Sequence, residues 1–139
     1  MSSLTPHGPG FSFVDSITLD DSKNRLVAKK WLDPQLLFFA DHFPGKPLMP
    51  GVLLIECAAQ ACGALWGSQQ QQKQPQPYAL AQVLQFRFIK PVFPSETLFI
   101  EVELEKDFGP LAQFLAVIKV EGNLVAEGKI VLSSSLPSL

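Results

Sequence analysis

The sequence predicts an α+β domain in which one buried helix is wrapped by an antiparallel β-sheet. Three observations predict it. Residues 51–67 form the only long helix candidate, and they are apolar almost all round: Val52, Leu53, Leu54, Ile55, Ala58, Ala59, Ala61, Ala64 and Leu65. A helix of that kind must be covered on most sides. The rest of the chain offers mainly strands. In "LFIEVELE", Ile100, Val102 and Leu104 face one way while Glu101, Glu103 and Glu105 face the other, the period-2 pattern of a half-buried strand. Finally, "LAQFLAVIKV" and "LVAEGKIVL" are joined through Glu121-Gly122-Asn123, and the Gly-Asn pair is a hairpin signal. A chain of 139 residues, 47% hydrophobic, fits one domain over 1–139 with one ordinary core.

In chain order, "FSFVDSITL" (11–19) is the first strand and "NRLVAKKWL" (24–32) the second, with "DDSKN" supplying turn residues between them. Asp33-Pro34 ends the second strand. The helix begins where Pro50 and Gly51 stand, since a proline near the first turn lacks an N–H that would have no partner anyway. It ends at Gly67. "GSQQQQKQPQP" (67–77) has no apolar period and reads as a polar surface loop. "YALAQVLQFRFI" (78–89) is β-rich, and "FGP" (108–110) breaks the chain before the final hairpin. No internal repeat is present.

Net charge is −2 and the basic residues form no block, which argues against a nucleic-acid binder. The start, "MSSLTPHGPG", lacks the charged and apolar regions of a signal peptide. The most apolar run, 52–66, is short for a bilayer and is interrupted by Glu56 and Gln60. A soluble, cytoplasmic protein with no membrane partner is expected. Cys57 and Cys62 fit neither a metal or redox motif nor a disulfide framework, and they read as small buried side chains.

The chemistry-bearing residues cluster in "ADHFPGKPLMPGVLLIECAAQACG" (40–63). Glu56 and Gln60 are four apart and share one helix face. Desolvation there would raise the pKa of the acid and keep it protonated, able to donate to a leaving group. The helix N-terminus at Gly51 and Val52 offers unpaired N–H groups and the positive end of the dipole. Such donors can polarise a carbonyl whose oxygen gains charge. His42 could be a general base. A base, an acid and an oxyanion site are what β-elimination beside a carbonyl requires. Each residue also has a plainer reading: His42 as a loop residue with a satisfied hydrogen bond, Glu56 as an acid reaching solvent or a cation, and Pro44, Gly45, Pro47 and Pro50 as turn punctuation. Pattern physics alone leaves these alternatives open.

"HFPGKPLMPGVLLIECAAQACG" resembles the active-site segment of the β-hydroxyacyl-acyl-carrier-protein dehydratases, whose fold is the hotdog. "FSFVDSI" resembles that family's N-terminal strand, "FRFIKPVFPSETL" its Phe-Arg … Pro-Val-x-Pro-Gly-Asp-x-Leu strand and turn, and "LVAEGKIVL" its last strand. The likeness covers all but the Gln-rich loop and the two ends. It implies His42 as the catalytic histidine and Glu56 as the helix carboxylate. A Glu there marks the branch that dehydrates without isomerising. It further implies Gly51 as the backbone N–H facing the thioester carbonyl, Gln60 as the residue that positions the acid, and Tyr78 as a tyrosine gating the acyl tunnel. The implied substrate is a (3R)-hydroxyacyl thioester on the phosphopantetheine arm of acyl carrier protein. No metal and no other cofactor is implied. The implied assembly is a homodimer or a trimer of dimers, with His of one subunit facing Glu of the other.

The sequence departs from the family in two places. Asp41 replaces the glycine often found before the histidine, where a carboxylate could raise the pKa of His42. Ser95-Glu96 replaces the usual Gly-Asp of a turn, a change expected to be tolerated. Docking of an acidic carrier would use basic residues, and Lys23, Arg25, Lys29, Lys30, Lys46, Arg87 and Lys90 form the pool. Two rivals share the fold. A hotdog thioesterase would use its helix carboxylate to activate water, and a non-catalytic acyl-binding subunit would have no need of both His42 and Glu56.

Overall fold

The computed structural model describes residues 12–20, 22, 24–36, 38–39, 45–69 and 78–134. Their strands are β1 (Ser16–Leu19), β2 (Arg25–Trp31), β3 (Ala79–Phe88), β4 (Thr97–Asp107), β5 (Leu111–Val120) and β6 (Asn123–Ser133), and the long helix α1 is Gly51–Gln69. The strands form one sheet in the order β1-β2-β4-β5-β6-β3, and every neighbouring pair is antiparallel. α1 lies across β4 and reaches β2, β5 and β6 beside it. This is the hotdog arrangement that the apolar helix and the strand patterns call for.

Alternation explains the core. On β4, Leu98, Ile100 and Val102 are buried; on β5, Ala112, Phe114, Ala116, Ile118 and Val120 are. These rows face the buried positions of α1, among them Leu54, Cys57, Ala58, Ala61, Cys62 and Leu65. The opposite face carries charges of both signs that pair diagonally or across strands. Glu101 lies 3.0 Å from Lys119 and 3.5 Å from Arg25, and Glu105 lies 3.5 Å from Lys129. Such exposed pairs add little stability each but keep the outer face polar.

The elements differ from expectation at several ends. Strand β1 is shorter than 11–19: Phe13 and Val14 precede it and are buried as anchors. α1 runs two residues past Gly67. Gly67 does not take the left-handed conformation that would stop it, and Ser68 Oγ donates to the Leu65 carbonyl at 2.6 Å. By length and composition the resulting helix could cross a membrane, which the interrupted run 52–66 did not suggest, but half of that window is buried inside the protein. The β5–β6 turn is centred on Glu121 and Gly122, with φ of 51° and 78°, one residue earlier than the Gly-Asn pair indicated. Two consecutive positive φ values match the twist of a two-residue hairpin.

β3 is an edge strand, bonded to β6 alone, with bulges between Leu80 and Gln82 and between Leu84 and Arg87. Gln85, in the second bulge, has φ 52°. Gly128 on β6 lies under this bulge. A Cβ there would meet the Phe86 Cα at 2.6 Å, so only glycine lets the kinked strand sit this close.

The turn at Ser95-Glu96 is stapled on both sides. Ser95 N–H donates to the Leu32 carbonyl at 2.7 Å, and Phe93 N–H donates to Glu96 Oε1 at 2.6 Å. Ser95 itself has φ 71°, a conformation that favours glycine. The replacement is therefore tolerated at a cost in backbone strain. Ser95→Gly should stabilise the fold by about 1 kcal/mol, read as a higher urea midpoint at unchanged slope. A lower midpoint would show that the serine itself supports the turn.

Candidate active site

Pro50 begins α1. Its carbonyl accepts from Leu53 N–H at 3.0 Å and Leu54 N–H at 3.2 Å. The first turn contains no acidic side chain, so nothing on the helix itself neutralises the positive end of the dipole. Gly51 lies at that end, and a Cβ on it would meet the Phe88 ring at 3.1 Å. The absent side chain thus lets Phe88 of β3 cover the helix start.

Glu56 follows about one and a half turns further along, and Gln60 about one turn beyond it. Gln60 is 4% exposed and is the only buried polar side chain among the described residues. Its Oε1 accepts the Phe13 backbone N–H at 2.8 Å, and its Nε2 donates to Glu56 Oε1 at 3.0 Å. The order is dictated by chemistry. A backbone N–H can only donate, so the amide oxygen must face Phe13 and the amide nitrogen must face the acid. Glu56 itself is partly buried rather than enclosed, less than the sequence suggested.

Beside this pair, Lys30 and Asp15 form an ion pair at 3.3 Å, with the Lys30 side chain only 15% exposed. Asp15 Oδ2 also accepts the Trp31 N–H at 2.7 Å, which fixes the segment that carries Phe13. Burial pushes the Cys57 thiol far above its usual range, against the opposing pull of Lys30. Burial does the same to Cys62. Both stay protonated at physiological pH and are poor nucleophiles, as their spacing suggested.

At about 100° per residue, Val52, Glu56, Ala59, Gln60, Gly63 and Gly67 lie along one side of α1. Tyr78 meets this side at its far end. A Cβ on Gly63 would lie 3.3 Å from Tyr78 Cδ2, and the Tyr78 ring stacks on Trp66 at 4.7 Å. Tyr78 is therefore separated from Glu56 by about two helical turns, roughly 10 Å along the axis. Trp66 is 1% exposed and also meets Phe114 edge-on at 6.1 Å. Its indole N–H has no acceptor among the described residues, an arrangement that costs about 1–3 kcal/mol. Sequence reasoning passed over Trp66. The available signal was a bulky aromatic on the otherwise small-residue side of the acid's own helix.

Two expected features, His42 and Asp41, lie outside the described residues, as do Lys23 and most of the Gln-rich loop. Of the basic pool, Arg25 pairs with Glu101, Lys30 with Asp15 and Arg87 with Glu127. Lys29 sits 5.2 Å over the Phe99 ring. Lys46 and Lys90 are exposed. No cluster of metal-ligating side chains occurs among the described residues.

The fold recurs in solved structures at low sequence identity. The dehydratase heterocomplex ApeI:P of Xenorhabdus doucetiae superposes with a TM-score of 0.79 at 16% identity, over 96% of this chain and 89% of that one. A hypothetical thioesterase from Streptococcus pneumoniae, solved with coenzyme A, reaches 0.65 at 12% identity over 91% of each chain. Sequence separates these two classes. The 3-hydroxyacyl-[acyl-carrier-protein] dehydratase FabZ of Yersinia enterocolitica is 35% identical over 136 residues, 97% of this chain and 81% of that protein. FabZ of Yersinia pestis is 35% identical over the same length, covering 77% of that protein. The model of the FabA-like domain matches residues 5–134, and the chain belongs to the FabA-like family.

Proposed function

We propose that this protein is a 3-hydroxyacyl-acyl-carrier-protein dehydratase, converting a (3R)-hydroxyacyl thioester to the trans-2-enoyl thioester and water. The observation that carries the reading is the helix-borne Glu56 held by Gln60 beyond a helix start that bears no acidic side chain, in a chain 35% identical to FabZ dehydratases. The thioester carbonyl accepts from the Gly51 N–H, which steadies the enolate-like oxygen. His42 removes a proton from C2. The electron pair left behind forms the C2=C3 double bond as the C3–O bond breaks, and Glu56 gives its proton to the departing hydroxyl. His42 then gives up the proton it took and Glu56 takes one back, by exchange with water, which resets both groups. The substrate arrives on a phosphopantetheine arm, and no other cofactor takes part.

The same reading makes the active unit a homodimer, alone or as part of a trimer of dimers. β3 is long, lies at the sheet edge and exposes Leu80 and Phe88, with Ile89 just beyond it. An unprotected edge of this kind favours pairing with another strand. A second subunit would also enclose the partly exposed Glu56 and supply His42 from across the interface. Lys46 and Lys90, exposed near the helix start, are the residues of the basic pool best placed to meet an acidic carrier. A cytoplasmic location suits such a reaction.

In deuterated water the reverse reaction should place deuterium at C2 of the 3-hydroxyacyl product formed from an enoyl thioester. His42→Ala should abolish incorporation, and Glu56→Gln should lower turnover by about 10²–10⁴-fold while keeping the fold. Release of free thiol with no hydration would identify a thioesterase instead, and incorporation surviving in His42→Ala would remove that residue as the base.

Mixing inactive His42→Ala and Glu56→Ala proteins, after subunit exchange verified by mass, should restore part of the activity through hybrid sites. A monomer by light scattering at full activity would contradict the shared site.

A further inference from the structure

The backbone register of β1 with β2 ends at the pair Ser16 and Lys29, short of Phe13, whose N–H is the group that Gln60 accepts. The side chains of Phe13 and Val14 are buried, which draws this segment onto the core. Burial has no direction, so the aim of a backbone N–H is left to hydrogen bonds. Asp15 makes three bonds to β2. Its N–H donates to the Lys29 carbonyl at 2.7 Å, its Oδ2 accepts the Trp31 N–H at 2.7 Å, and its Oδ1 accepts from Lys30 Nζ at 3.3 Å. A side-chain carboxylate thus takes a strand N–H where the ladder of β1 has ended. Lys30 stands in the inward row of β2 with the buried Leu26 and Ala28, and it engages one oxygen while the other faces Trp31. The Asp15 side chain is 47% exposed. An ion pair open to water adds little stability, so what Asp15 supplies is direction. From there the connection to the acid has no gap: two residues to Phe13, then 2.8 Å to Gln60 and 3.0 Å to Glu56.

We propose that Asp15 is a positioning residue for the reaction: it holds the Phe13 N–H on Gln60 and, through Gln60, the carboxyl of Glu56. This rests on the dehydratase reading, in which Glu56 protonates the departing hydroxyl. Without the carboxylate the Trp31 N–H is released and the Phe13 segment is free to turn. Gln60 then loses a fixed donor on one side, and its hold on the acid slackens. A misplacement of about 1 Å can cost about 10²-fold in rate. The loss falls on kcat rather than KM, because the proton is delivered only in the transition state. An asparagine keeps an oxygen for the Trp31 N–H, so it preserves the tie that alanine removes.

The test compares Asp15→Ala, Asp15→Asn, Gln60→Leu and the double variant Asp15→Ala with Gln60→Leu in dehydration of a 3-hydroxyacyl pantetheine thioester, alongside amide hydrogen exchange at Phe13 read by NMR. The Trp31 N–H left by Asp15→Ala is open to water, so that protein should fold. Its kcat should fall about tenfold or more with KM within about twofold of wild type. Asp15→Asn should recover most of the loss, and Asp15→Ala should add little once Gln60 is replaced. The Phe13 amide should exchange faster in Asp15→Ala while the amides of α1 keep their protection. An unchanged kcat in folded Asp15→Ala overturns the proposal, as does a loss equally large with and without Gln60. The exchange reading does not depend on turnover. A wild-type protein that dehydrates nothing, yet whose Phe13 amide still responds to Asp15→Ala, overturns the dehydratase reading and leaves the tie from Asp15 to Gln60 standing.

Discussion

The amide of Gln60 ties the beginning of the chain to the acid on the helix, and the geometry of the site depends on it. A polar side chain buried to this degree must have its hydrogen bonds satisfied. Here one bond goes to the Phe13 backbone and the other to Glu56. The Phe13 segment is itself secured, through Asp15, to β2. The position of Glu56 is therefore set by the sheet as well as by its own helix. The core forces α1 into place along the sheet, the sheet fixes the Phe13 segment, and Gln60 carries that constraint to one oxygen of the acid. Catalytic groups held this way avoid the cost of reorganising at the moment of reaction.

Much of this was legible in the sequence because it follows from periodicity. The near-continuous apolar run of α1, the alternation on β4 and the strand pair at the C-terminus are consequences of burial, and burial leaves a pattern. So does the i, i+4 spacing that pairs Glu56 with Gln60. The long-range partner of Gln60 leaves no pattern, since a backbone N–H forty-seven positions away has no side-chain signature. Nor does the depth of the acid, since Glu56 is only partly buried. The hairpin centre shifted by one residue because Glu121 accepts a left-handed backbone that glycine or asparagine would adopt more readily. Trp66 was missed because a tryptophan in an apolar helix looks like core, and it is core.

β3 links the two ends of the site. It is an edge strand, bulged twice and pressed onto Gly128. Bulges add twist and re-aim side chains. Phe88 at its end and Tyr78 just before its start lean onto the helix at positions twelve residues apart, Gly51 and Gly63.

The central claim is that Gln60 acts through Glu56, and a double-mutant cycle on dehydration tests it most directly. Gln60→Leu, Glu56→Gln and the double variant would be compared with wild type in kcat, with folding confirmed for each. If the amide works by holding the acid, Gln60→Leu slows the wild-type enzyme but adds little once Glu56 can no longer donate a proton, giving a coupling of about 1 kcal/mol or more. Two losses that simply add would show that Gln60 and Glu56 act independently, and would contradict the account.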